Sequence, residues 1–235
     1  MDSQISFVIT SCGRFDLLEE TLASFFRHNR APIARYVLVE DSGDEAVRDV
    51  VRKYEPGFEV LVNQPQLGQL RSIDRAYAGI ATPFIFHCED DWRFLRGGFL
   101  EDSLQILTKT RRISGVLSRT RGQNNSYDAT FRSSRVSRIG ALRYRIINTK
   151  RWPPWGGYSF NPSLIRVADY QAVGPFARFK HEAYISDAFV RRGMALAGLQ
   201  EPACETIGRE RHVDDPFLPP DWLEIFRRPE NAHKP

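Results

Sequence analysis

The sequence predicts an α/β fold with a mostly parallel central sheet flanked by helices. Three observations lead there. Over the first hundred residues short apolar runs alternate with stretches of helical periodicity, the pattern of successive βαβ units. The chain has 235 residues, 42% hydrophobic and 26% charged, which suits one sizeable globular domain. Its three cysteines, Cys12, Cys88 and Cys204, form no CxxC pair or Cys/His metal pattern, so no disulfide or zinc scaffold competes.

The elements follow in order. Ile5 to Thr10 reads as a buried strand, and Phe15, Leu18, Leu22, Phe25 and Phe26 then recur at helical spacing. Tyr36 to Val39 is a second strand, Ala46 to Tyr54 a second helix, and Phe58 to Val62 a third strand. A helix over Leu70 to Ala78 leads into a fourth strand, Phe84 to Cys88. A helix over Phe99 to Thr108 and a strand at Ile113 to Leu117 complete this half. Residues 119 to 157 lose the period; they are polar, Arg-rich and aromatic, with two strand-like pieces at most. The prolines and glycines of Arg151 to Gly157 make a loop, and helical pattern returns at Glu182 to Arg192, stopped by Gly193. Beyond Pro202 the proline-rich tail is expected over the surface.

The formal charge is +4, unevenly spread: Lys109 to Arg151 holds twelve basic side chains and one acid, Asp128. Such a segment suits an anionic ligand or surface. Met1-Asp2-Ser3-Gln4 lacks the features of a signal peptide, and no apolar run approaches the roughly 20 residues of a membrane-spanning helix. The expectation is a cytoplasmic protein with free thiols.

Each of the first four strands ends in polar residues: Thr10-Ser11-Cys12-Gly13-Arg14, Glu40-Asp41-Ser42-Gly43-Asp44, Asn63 with a loop to Gly68, and Glu89-Asp90-Asp91. A parallel sheet brings these ends to one rim, where ligands of such sheets bind. Three consecutive carboxylates repel one another without a cation between them, and hard divalent cations take oxygen ligands of this kind. A single Asp-Ser after a strand would equally serve as a helix cap. Neither GxGxxG nor GxxxxGK[ST] occurs, which argues against a dinucleotide-binding Rossmann domain or a P-loop enzyme.

These motifs resemble glycosyltransferase family 2, nucleotide-sugar-dependent enzymes of the GT-A fold. Glu40-Asp41-Ser42-Gly43 stands where that family has an Asp-Asp-Gly-Ser-like motif, and Glu89-Asp90-Asp91 where it has a DxD-type motif. Asn63 to Asp74 resembles its Asn/Gly loop and following helix. The family's Arg-Asn pair falls on Ile73-Asp74, so Arg71 or Arg75 has to supply the positive charge. Counted back from Gly193, the family's catalytic acid falls on Glu182.

The resemblance implies a metal-dependent, inverting transfer of a sugar from a nucleotide-sugar donor, a UDP-sugar foremost, to a glycan or lipid-linked acceptor. It implies a single GT-A-type domain over 1–235: about 1–118 for the donor, about 119–200 for the acceptor, and a tail at about 201–235. Thr10, Ser11, Arg14, Glu40, Asp41, Arg71 and Asp90 would contact the donor nucleotide. Asp91, with Asp90 or Glu89, and His212 would hold Mn2+ or Mg2+. Glu182 would be the base, with Asp187 the alternative if it does not merely face solvent. Trp155, Gly156 and Gly157 would meet the acceptor, and His87, inside a strand, is expected to be a packing residue.

Three other readings remain: a sugar nucleotidyltransferase, a non-catalytic nucleotide-sugar-binding domain, and a nucleic-acid module using the basic segment. The first lacks its Gly-rich loop and nearby Lys after the first strand, and an acid triplet on the rim argues against nucleic acid as a partner. The tail Trp222 to Arg228 offers a short apolar stretch with adjacent arginines for peripheral contact at the inner face of a membrane.

Overall fold

The computed structural model describes residues 3–119, 134–147, 155–208, 211, 213, 216 and 217. The chain runs β1 (Ile5–Ser11), α1 (Phe15–His28), β2 (Arg35–Glu40), α2 (Val47–Val51), β3 (Glu59–Val62), α3 (Gln69–Tyr77), β4 (Phe84–Glu89), β5 (Trp92–Phe94), α4 (Phe99–Lys109) and β6 (Ile113–Leu117). After these come β7 (Arg135–Ile139), β8 (Leu142–Ile146), β9 (Ser163–Arg166), α5 (Val167–Val173), a 3-10 turn (Phe176–Arg178), α6 (Glu182–Arg191), β10 (Ala195–Leu199) and β11 (Cys204–Thr206).

Among the described residues a nine-stranded sheet has the order β3-β2-β1-β4-β9-β6-β10-β8-β7, and β5 pairs with β11 in a small second sheet. Strands β1 to β4 pair in parallel, as does β10 with β6. β9 runs antiparallel between β4 and β6, and β8 antiparallel between β10 and β7. Seven of the nine strands therefore point one way. The expected mostly parallel sheet is present, and β9 and β8 run against it; β9 is four residues following Pro162, inserted at the centre of the sheet.

Alternation along the strands makes two cores. Phe7 and Ile9 of β1 and Phe84 and Phe86 of β4 pack with Leu18, Leu22 and Phe25 of α1 and Phe99 of α4. The rings of Phe7 and Phe25 stack at 4.2 Å. On the other face Val8, Val37, Val39 and Ile85 pack with Ile73 and Tyr77 of α3, Tyr158, Phe160, and Ile185 and Phe189 of α6. Each of these large side chains contributes about 1.5–3 kcal/mol by leaving water. His87 belongs to this second core: it is fully buried beside Tyr77 and Phe160, and burial pushes its imidazole down to about 3. It is a neutral packing residue, as expected.

α6 is docked by a close approach. The backbone N–H of Gly157 and of Tyr158 donate to Ser186 Oγ on α6, at 2.9 and 3.1 Å. A Cβ on Gly157 would lie 2.1 Å from the Ser186 carbonyl oxygen, well inside contact distance. Among the described residues no helix is long and apolar enough to cross a membrane.

Gly157→Ala should therefore lose about 3 kcal/mol of stability, the upper end for overpacking a filled interior. Urea unfolding checks this, and an unchanged midpoint would refute the close approach.

Candidate functional site

Register sets the first half of the site. Pairing of β1 with β2 puts Ser11 opposite Glu40, and pairing of β1 with β4 puts Thr10 opposite Glu89. Where these strands end, a cavity of about 210 Å³ opens, and Thr10, Ser11, Cys12, Arg14, Asp41, Glu89, Asp90 and Asp91 are among its walls. Seven residues expected at the donor or metal thus meet in one place. The Ser11 hydroxyl is buried there with no hydrogen-bond partner among the described residues.

The acid triplet is desolvated and holds one fixed counter-charge. Arg14 donates from Nη2 to Asp90 Oδ1, from Nε to Asp90 Oδ2 at 3.4 Å, and from Nη1 to Asp91 Oδ2 at 3.2 Å. Asp90 is 1% exposed; burial pushes its carboxyl from 3.8 up to about 6, even against the pull of Arg14. Glu89 accepts from Gln69 Nε2 at 3.0 Å and from Trp92 Nε1 at 3.4 Å. Burial, then the charges of Asp91 and Glu182, push it well above the usual carboxylate range. Asp91 is more open, and Gly208 lies against it so closely that a Cβ would sit 2.5 Å from its side chain.

Three carboxylates against one guanidinium leave surplus negative charge, and their oxygens are hard donors suited to a divalent cation. No three His, Cys, Asp or Glu side chains among the described residues form a complete cage. A magnesium-like ion does not require one, because it binds through one or two carboxylates together with substrate phosphates.

The β2 acids shape loops. Asp41 Oδ1 accepts from Asn63 Nδ2, the Leu67 N–H and Ser72 Oγ at 2.7–2.9 Å, and Oδ2 accepts from the Gly68 N–H at 2.9 Å. It thereby fixes the β3–α3 loop while still facing the cavity. Glu40 is fully buried, and its Oε1 accepts from the N–H groups of Gly13 and Ser42 at 3.0 and 2.7 Å, joining the loops after β1 and β2. Arg75 is engaged with the Val62 carbonyl and Asn63.

A second cavity of about 260 Å³ adjoins the first through Gly68 and Gln69 and contains Arg71, Phe179, Lys180, His181, Glu182 and Phe217. Arg71 thus stands in this cavity and not in the first. Glu182 opens α6 and accepts from the Phe160 N–H at 3.2 Å. Burial pushes its carboxyl up to about 7, with the Ser159 hydroxyl, the Phe160 N–H and the buried Arg119 pulling the other way. Asp187 is buried, not solvent-facing, and its carboxylate pairs with Arg191 one helical turn on, at 2.6 Å. It lines neither cavity.

Trp155 packs edge-on against His181 at 5.6 Å, whereas Gly156 and Gly157 lie in the interior. His212 lies outside the described residues, as do Trp152 and the Trp222 to Arg228 segment. Sequence reasoning missed Gln69, Arg119, Lys180 and Gly208. Gln69 had a signal, since it begins the helix after the Asn63–Gly68 loop; Gly208 becomes visible only through the pairing of β11 with β5.

No protein-family model matches the sequence, nor does any curated protein. The structure is similar to a mannosyltransferase, PcManGT from Pyrobaculum calidifontis, solved with GDP-Man and Mn2+ (TM-score 0.64, 11% identity, 90% of this chain and 59% of that one). It is similar to S. aureus TarS 1-349 solved with UDP (0.61, 13%, 87% and 60%) and to GalNAc-T7 with UDP, GalNAc and Mn2+ (0.56, 12%, 83% and 41%). The fold is thus of the GT-A glycosyltransferase type, and the chain spans three fifths or less of the length of these structures.

Arg14→Ala would strand Asp90 in the interior without its partner, and loss of one member of a buried pair costs about 3 kcal/mol. Asp90 releases its proton near 3.8 when unfolded and near 6 when folded. The penalty of the variant therefore appears as pH rises above about 6, where wild-type Asp90 is ionised beside Arg14, and shrinks below it as Asp90 is protonated. Thermal unfolding at pH 8 and pH 5 checks this: the variant should trail wild type clearly at pH 8 and much less at pH 5.

Proposed function

We propose that the chain is a glycosyltransferase that moves a sugar from a nucleoside diphosphate donor onto an acceptor hydroxyl, with inversion at the anomeric carbon. The supporting observation is Glu182: a carboxyl raised to about 7 in a cavity that adjoins the acid-lined one. A base poised near the working pH takes a proton most effectively, and carboxylates reach that range by burial.

In this reading Thr10, Ser11, Arg14, Asp41 and Asp90 shape the donor side, and a UDP-sugar is the first donor to try. Asp91, with Glu89 or Asp90, would hold Mn2+ or Mg2+. The bound ion would neutralise charge on the departing diphosphate. Glu182 Oε accepts the acceptor's hydroxyl proton as that oxygen forms its bond to the anomeric carbon. The bond to the diphosphate breaks, and the nucleoside diphosphate leaves with the electron pair. One displacement inverts configuration and needs no enzyme nucleophile. Trp155, which packs against His181, would meet the acceptor in this reading, and that the acceptor is a glycan or a lipid-linked sugar belongs to the same proposal.

Nucleotide release from a panel of UDP-, GDP-, CMP- and dTDP-sugars with Mn2+ tests the reading, alongside Glu182→Gln and Asp91→Asn. Glu182→Gln should lower kcat by about 10²–10⁴ while donor binding persists. Asp91→Asn should weaken metal-dependent nucleotide binding. Because the base must be ionised, wild-type kcat/KM should climb with pH and level off above about 7. Undiminished turnover by Glu182→Gln would remove Glu182 from the chemistry, and donor binding without turnover in wild type would leave a binding domain.

A further inference from the structure

We propose that the acceptor carries an anionic group, a phosphate or a carboxylate, close to the hydroxyl that is glycosylated, and that Arg71 and Lys180 bind it. This rests on the glycosyl-transfer reading for its location: the hydroxyl must reach Glu182, and Glu182 lies in the second cavity.

The charges of that cavity are unbalanced. Among the described residues Arg71 and Lys180 are exposed cations on its wall, and Glu182 is its one acid. His181 adds no third positive charge at neutral pH, because burial lowers its pKa and its Nδ1 accepts from the Ala183 N–H at 3.1 Å. The cation that offsets Glu182 is Arg119, which lines neither cavity.

Among the described residues three other cations around the site are committed. Arg14 is held by Asp90 and Asp91, Arg75 by Asn63, and Arg211 by Asp16. Among the described residues neither Arg71 nor Lys180 enters an ion pair. Arg71 instead stands 4.4 Å from the ring centre of Phe217, a contact that uses none of its N–H donors. Donors left in this state bind carboxylate or phosphate oxygens strongly. Leu67, Leu70 and Phe179 give the same cavity an apolar wall for the body of a sugar. The arrangement fits a small acidic sugar or a sugar phosphate: apolar face on one side, anion at the mouth, hydroxyl toward Glu182.

The test uses the full chain with glucose, glucose 6-phosphate and glucuronate as probes, followed by ligand-observed NMR. The titration is run with and without saturating nucleoside diphosphate and Mg2+, so that in one arm the first cavity is filled. At least one acidic probe should bind tenfold or more tightly than glucose, and the preferred probe tells phosphate from carboxylate. Arg71→Ala with Lys180→Ala should abolish the preference without changing nucleoside diphosphate affinity, and Arg71→Lys with Lys180→Arg should restore it in large part. Equal binding of the three sugars, or a preference untouched by the double alanine variant, overturns the proposal. A chain that keeps the preference yet binds no nucleotide loses the glycosyl-transfer reading and retains the anion site.

Discussion

The structure depends on keeping carboxylates out of water where parallel strands end. Burial disfavours their charged form, and the chain compensates only in part: Arg14 serves two of the three consecutive acids, and Arg119 acts on Glu182. What remains is two adjoining cavities whose acids hold protons to unusually high pH, Asp90 to about 6 in one and Glu182 to about 7 in the other. A fold built for stability alone would fill this rim with apolar side chains. The two aromatic-rich cores on either face of the sheet offset the electrostatic penalty. The same field acts on Cys12: burial, Glu40 and Asp41 raise its thiol to about 11, so it stays protonated and is a wall of the cavity, not a nucleophile.

The charged groups act on backbone as much as on space. Asp41 spends four acceptor contacts on Asn63, Leu67, Gly68 and Ser72, and Glu40 spends two on Gly13 and Ser42. Three loops, after β1, β2 and β3, are thus fixed to one another before any ligand arrives. Preorganisation of this kind lowers the ordering cost of binding. It also ties the two cavities together, because Gly68, held by Asp41, is a wall of both.

Local patterns made the first half of this chain legible. β1, β2 and β4 are apolar runs followed by polar residues, so both their existence and the shared rim could be read from the sequence. Short strands were not: β5 and β11 have three residues each, β9 has four, and β10, Ala-Leu-Ala-Gly-Leu, carries little strand preference. Partners across the fold were equally hidden. Arg14 and Asp90 are 76 residues apart and meet only because β1 and β4 pair in one particular register. Arg71 and Glu40 illustrate a different limit, since residue type announces charge but not which cavity, or which loop, that charge faces.

The position of Glu182 follows from topology more than from its own neighbours. α6 leads into β10, and β10 runs parallel to β6. A helix that returns the chain to the start of such a strand must run against the sheet, so its first residue stands at the rim where the strands end. The antiparallel β9 has the complementary effect: its first residue, Ser163, pairs with His87 and Leu117 near the ends of β4 and β6, so the segment before it lies on that rim too. From there the Phe160 N–H reaches Glu182. The start of a helix favours the ionised carboxylate by about 0.3–1 kcal/mol, whereas burial favours the neutral acid. A value near neutrality is where those opposed effects leave the Glu182 carboxyl.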